Sequence, residues 1–184
     1  PQGAGSRGFE IEGRPARKPG EHPQQITTVT VSPEYFQTVN APIRAGRGFT
    51  ATDGLPGSET VVINERVAAR FFAGENPIGH RLRFVDRDPP PAGQPPPVWR
   101  TIVGIVPTMR HSQPQDAEPP AAVYVPHRQN PPGGIAILLR TRLPAAAAMS
   151  DVRKVVQSLD QDQPVFTGTT LETLLANQTW PFRV

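Results

Sequence analysis

Residues 59–65 read Glu59-Thr60-Val61-Val62-Ile63-Asn64-Glu65, and the change of character within them decides the fold. Residues 59–63 form a β-branched run of strand length. Asn64 is a favoured helix N-cap, because its side-chain oxygen can accept from an orphan N–H of the first turn. Val67, Ala68, Phe71 and Phe72 then recur at helical spacing, and Gly74 and Pro77 stop the helix near Ala73. A strand that ends directly on a capped helix belongs to a chain that mixes both kinds of element.

Outward from that segment the same signals return. Upstream, residues 26–31 alternate Thr with Ile and Val, as a strand with one buried face does. Ser32-Pro33 then predicts a helix start, with Tyr35, Phe36 and Val39 facing the core and Asn40 as its left-handed stop. Position N3 is Tyr35, so no full capping box is expected there. Residues 1–23 are rich in Gly, Pro and charge, with one apolar patch at Phe9-Glu10-Ile11, and read as a mostly irregular lead-in with one short strand.

Downstream, residues 80–85 alternate Leu82 and Phe84 against Arg81 and Arg83, and residues 98–106 give the strongest strand of the middle region. The proline-rich stretch 88–97 between them must be a loop, since proline lacks the ladder donor. A second proline-rich loop covers 112–120, before a short strand at 122–125. Residues 135–141 predict another strand and 145–159 an amphipathic helix carrying Ala145, Ala148, Met149, Val152, Val155, Val156 and Leu159. A strand at 164–168 and a final helix opened by Thr169 and Glu172 as a capping box complete the chain.

Composition narrows the function. The 184 residues suit one domain or two small lobes, and 24 prolines is well above ordinary usage. The net charge is +3, with Lys and Arg scattered rather than clustered, so no dedicated nucleic-acid surface is expected. Arg47-Gly48-Phe49 is only a fragment of an RNA-binding strand motif and reads as a glycine turn with a buried Phe. The absence of cysteine excludes disulfides, thiolate metal sites and thiol catalysis. No apolar run approaches the roughly 20 residues of a spanning helix. The chain opens at Pro1, and it is expected to be a piece of a longer frame.

No catalytic, cofactor-binding or metal-ligating residue is assigned. His22, His80, His111 and His127 show no metal-ligand spacing. Asp86 and Asp88 around Arg87 lack the ligand series of a calcium loop. Ser6 lies in no nucleophile-elbow pattern, and Ser32 is read as a helix cap. No phosphate-binding Gly-rich loop with Lys-Ser/Thr occurs. Trp99 is expected in the core. Trp180, beside Pro181-Phe182, reads either as a membrane-interface aromatic or as simple packing.

The ordered phrases carry a resemblance. Val31-Ser32-Pro33-Glu34-Tyr35-Phe36, Arg44-Ala45-Gly46-Arg47-Gly48-Phe49, Val62-Ile63-Asn64-Glu65 with Arg70-Phe71-Phe72, Asn76-Pro77-Ile78-Gly79, Ile102-Val103-Gly104-Ile105-Val106 and Val123-Tyr124-Val125-Pro126 stand in fixed order. Over about residues 8–184 the chain resembles the periplasmic core domain of MacB-like ABC-transporter permeases of the FtsX family, closest to the orphan-permease branch. The resemblance implies an α+β fold in which a porter-like split βαβ subdomain (24–57 and 131–184) is interrupted by an inserted β-rich subdomain (58–130). It implies a periplasmic, non-catalytic domain that transmits motion during export, with the ATPase on a separate domain or subunit. Implied partners are its own transmembrane helices, the second permease half, the cytoplasmic ABC ATPase indirectly, and a periplasmic adaptor or cargo; no nucleic acid and no cofactor are implied. Hinges are expected at residues 50–57 and 129–134, where Gly and Pro cluster. The alternative is a stand-alone soluble module that docks proteins through its proline-rich loops.

Overall fold

The computed structural model describes residues 4–15, 21–86, 96–109, 118–129, 131, 134–165 and 168–174. The described residues form seven strands: β1 (Ala4–Ile11), β2 (Gln24–Val31), β3 (Ala45–Gly46), β4 (Thr60–Asn64), β5 (Arg81–Val85), β6 (Arg100–Val106) and β7 (Ala122–Pro126). Three helices accompany them: α1 (Tyr35–Thr38), α2 (Glu65–Phe71) and α3 (Ala145–Leu159).

Six of the strands close on themselves. β1 pairs antiparallel with β2 and with β5, and β5 pairs antiparallel with the start of β6. β6 runs parallel to β4, β4 antiparallel to β7, and β7 parallel to β2, which returns to β1. The result is a mixed six-stranded barrel, an arrangement that leaves no open sheet edge. The two-residue β3 takes the same edge of β6 further along, at Ile105 and Gly104.

The burial pattern explains the sequence pattern. Phe9, Ile26, Val61, Ile63, Leu82, Phe84, Ile102, Val123 and Val125 cluster with Val67 and Phe72, next to α2. A second cluster unites Val29, Val31, Val62, Val106, Ala122 and Tyr124 with Phe36 and Phe49. Successive residues of β4 and β7 face different clusters, Val61 and Ile63 against Val62, and Val123 and Val125 against Ala122 and Tyr124, and all five residues of each strand are buried. They therefore read as continuous apolar runs, whereas β5, with Leu82 and Phe84 facing one cluster, alternates. Asn64 caps α2 as expected: its Oδ1 accepts from the Val67 N–H at 3.0 Å and from Ala122 N–H at 3.2 Å, and its Nδ2 donates to Pro120 O at 2.9 Å.

Several expectations are corrected. The strand expected in the lead-in is longer than its apolar patch, because Ala4–Ile11 is an eight-residue barrel strand. Its two glycines hid that length. Gly8 is nevertheless required, since a Cβ there would collide with the Val85 carbonyl and the Pro23 ring. Ser32 is not the cap of α1. Its carbonyl accepts from Tyr35 N–H in a turn, and the helix begins after Glu34 and lasts four residues before Asn40 turns at φ 57°. Residues 135–141 form no strand: Ile135, Ile137, Leu138 and Leu139 are exposed and have no ladder partner among the described residues. The described part of 164–168 is not strand either. The last helical turn is capped one residue later than expected, by Thr170, whose Oγ1 accepts from Thr173 N–H at 3.1 Å.

The boundary drawn between residues 57 and 58 does not separate two bodies here, because β2 hydrogen-bonds to both β1 and β7 within one barrel. The unit containing the barrel ends at Leu138, and a second unit runs from Leu139. That second unit holds α3 over the expected span, with Ala148, Met149, Val152 and Val156 half-buried and no residue fully buried. No helix among the described residues is long and apolar enough to cross a membrane.

Candidate functional site

The most ordered polar cluster sits where the loop after β3 returns to β4. Asp53 is 3% exposed and accepts from five donors. Arg47 clamps it through Nη1 at 2.6 Å and Nη2 at 3.0 Å, Thr50 through its backbone N–H at 2.6 Å and its hydroxyl at 2.8 Å, and Thr60 through its hydroxyl at 2.9 Å. Burial opposes the charge, but the bonds from Arg47, Thr50 and Thr60 outweigh it and hold the carboxyl well below the usual carboxylate range. A carboxylate so saturated makes a poor general base. Its work is to pin the loop, part of the 50–57 segment where a hinge is expected, to β4 of the barrel.

Gln129 fastens the neighbouring end of β7. Its Nε2 donates to Thr60 O at 2.9 Å and its Oε1 accepts from Arg100 Nε at 2.8 Å. Beside the Asp53 cluster lies a polar recess of about 420 Å³ bordered by Arg47, Thr52, Glu59, Arg81, Trp99 and Thr101. Its cations are already engaged: Arg47 pairs with Asp53 and Arg81 with Glu12, while Arg83, outside the recess, pairs with Glu10 and stacks 4.6 Å from the centre of the Trp99 ring. A wider, more apolar groove of about 570 Å³ runs along α1, lined by Pro33, Phe36, Gln37, Pro42, Ile43 and Gly48.

The other sequence candidates are dispersed. His80 packs edge-on to Phe72 at 5.4 Å, and His22 and His127 are exposed on separate segments. His111 lies outside the described residues, and among those described no three metal-type ligands converge. Asp86 is exposed at the end of β5; Arg87 and Asp88 lie outside the described residues. Ser6 donates to Gln25 Oε1 at 3.0 Å across the β1–β2 ladder. Phe49 of the Arg47-Gly48-Phe49 turn is buried in the second cluster, as expected. Trp99 is half-buried rather than core. Trp180 and most of both proline-rich loops lie outside the described residues. Sequence reasoning passed over Asp53; the available signal was a Thr three residues ahead of an Asp in a glycine-rich loop, the spacing of a side-chain-bonded turn.

Comparison with known proteins gives a consistent result. The family model described as the MacB-like periplasmic core domain matches residues 6–157. No curated protein matches the chain in sequence. Among solved structures, the periplasmic region of MacB from Actinobacillus actinomycetemcomitans superposes with a TM-score of 0.60 at 16% identity, covering 99% of this chain and 74% of that one. A domain of a putative permease protein from Porphyromonas gingivalis gives a TM-score of 0.47 at 16% identity, covering 94% and 79%. The extracellular domain of the noncanonic ABC-type transporter YknZ from Gram-positive bacteria gives 0.43 at 18%, covering 67% and 51%.

Proposed function

The chain belongs to the MacB-like periplasmic core domain family, and from that premise we propose that its work is mechanical and recognitive. It is the extracytoplasmic domain of a MacB-like ABC-type transporter permease. On our reading it passes movement between the membrane helices and the partners it touches outside the membrane: the second permease half, an adaptor or the cargo. ATP is hydrolysed on a separate domain or subunit. Residues 131–184 carry the porter-like half, and the barrel is the β-rich subdomain, extended to include residues 4–31.

The observation that carries this reading is the placement of apolar side chains. The barrel interior is filled by wholly buried Val61, Ile63, Leu82 and Ile102, which leaves contact to the outside. Later in the chain, Ile137 in the barrel's unit and Leu139 and Leu143 in the second unit stand 58%, 53% and 55% exposed. Apolar groups so presented favour a covering partner over solvent.

The test uses the full-length permease with its ATPase. Ile137→Asp and Leu143→Asp should leave unfolding of this domain within about 0.5 kcal/mol of wild type, as surface changes do, while lowering coupled transport. Unaltered transport in both variants would sink the contact role. These 184 residues hold no native cysteine, so Thr52→Cys and Ser158→Cys add the only thiols to this domain, and any cysteines elsewhere in the permease and ATPase are replaced before spin labelling. The distance distribution between them should differ between nucleotide-free and ATP-trapped states. Identical distributions would refute the mechanical role.

A further inference from the structure

We propose that Arg7 and Arg100, converging on Phe84 at one end of the barrel, form a receptor for an oxyanion, a carboxylate or phosphate group. Arg7, Phe84 and Arg100 come from the consecutive strands β1, β5 and β6. Both guanidinium carbons lie 5.0 Å from the centre of the Phe84 ring. The ring attracts each cation, but it does nothing for their mutual repulsion.

Among the described residues neither arginine forms an ion pair with an acidic side chain. Arg100 is half-buried and spends its hydrogen bonds on neutral oxygens, Gln129 Oε1 at 2.8 Å and Val98 O at 2.9 Å. Arg7 is exposed, contacts the Phe84 ring and forms no ion pair among the described residues. Elsewhere on these strands the guanidinium groups are matched: Arg81 with Glu12 and Arg83 with Glu10. Glu59 and Asp86 do not complete the pair. Glu59 attracts Arg100 without an ion pair and accepts from Gly57 N–H at 3.1 Å, and Asp86, just after β5, is exposed and forms no ion pair among the described residues. Burial, then the charge of Arg7, push the Arg100 guanidinium below its ordinary pKa, which is the opposite of what a carboxylate partner would do.

Burying a cation without a counter-charge is unfavourable, and an arginine presents five N–H donors of which Arg100 uses only two here. An oxyanion seated between the two guanidiniums would satisfy both shortfalls at once through charge-assisted bonds. Gln129, held by Thr60 O on its other side, keeps the Arg100 fork in place to receive it.

The probe is inorganic phosphate, titrated at constant ionic strength into the domain while the arginine Nε–Hε NMR signals are followed. The expected result is a saturating shift of the Arg100 signal, with affinity at least about tenfold weaker in Arg7→Gln, which removes one of the two charge-assisted contacts. Arg7 is exposed, so this variant retains the fold. A parallel titration with acetate separates the two chemistries: saturation by acetate alone or by both assigns a carboxylate-accepting site, and saturation by phosphate alone a tetrahedral one. Linear shifts with both anions, or equal affinity in Arg7→Gln, would overturn the proposal.

Discussion

Replacing Asp53 by alanine should be among the most damaging single changes to the polar structure of this domain. The substitution strands the hydroxyl of Thr60, which is only 7% exposed, and removes the acceptor of the Thr50 N–H and hydroxyl, which at an exposed residue can turn to water. Hydrogen bonds to a charged acceptor are worth about 1.5–3 kcal/mol each, but those meeting at one group share its desolvation cost and do not add. The Arg47 contribution is smaller, because its side chain is 49% exposed and recovers water when released. An ion pair with one partner so exposed contributes about 0–1 kcal/mol. We therefore expect Asp53→Ala to cost about 2–4 kcal/mol and Arg47→Ala about 1 kcal/mol or less, a difference that arises from burial alone. Urea unfolding followed by tryptophan fluorescence measures both. The acid limb adds a second check. Asp53 ionises at lower pH folded than unfolded, where its pKa is about 4, so its contribution is complete above that value and disappears as pH falls through the lowered one. The stability gap between wild type and Asp53→Asn should hold steady from about pH 7 to about pH 5 and close only in stronger acid. A cost of under about 0.5 kcal/mol for Asp53→Ala, the range of ordinary surface changes, would refute the argument, as would a larger cost for Arg47→Ala.

Two further substitutions test the barrel itself. Asn64→Ala removes the helix cap together with the bonds to Ala122 N–H and Pro120 O at a fully buried position, and should lower unfolding stability by about 2–4 kcal/mol, read from the denaturant midpoint. Gly104→Ala sets a methyl against the Arg47 carbonyl oxygen, where backbone rather than a pliable side chain must yield. It should cost about 1–3 kcal/mol, as other overpacked sites do, and raise amide exchange at Arg47 N–H, which now donates to Val103 O at 2.8 Å; unchanged exchange there would show that the contact is relieved elsewhere.

What the sequence determined by itself is local. The cap of α2 and the spans of α2 and α3 depend on residues within one helical turn of each other, and the cores of β4 to β7 depend on runs of a few apolar residues. Such signals survive without knowledge of what packs against them. The order of short phrases likewise identified the family, since it is a property of the chain rather than of its folding. Tertiary structure decided the rest. β1 carries two glycines and little β-branching, and it is a strand only because β2 and β5 flank it with matching donors and acceptors. Residues 135–141 have the alternation of a strand and yet form none, because a strand requires a ladder partner and none meets them. The parallel pairing of β2 with β7 joins residues 27–31 to 122–126, and no local signal specifies a register over that separation. Asp53 and Arg100 follow the same rule. Each is an ordinary charged residue in the sequence, and closure of the barrel decides which one receives its counter-charge and which one does not.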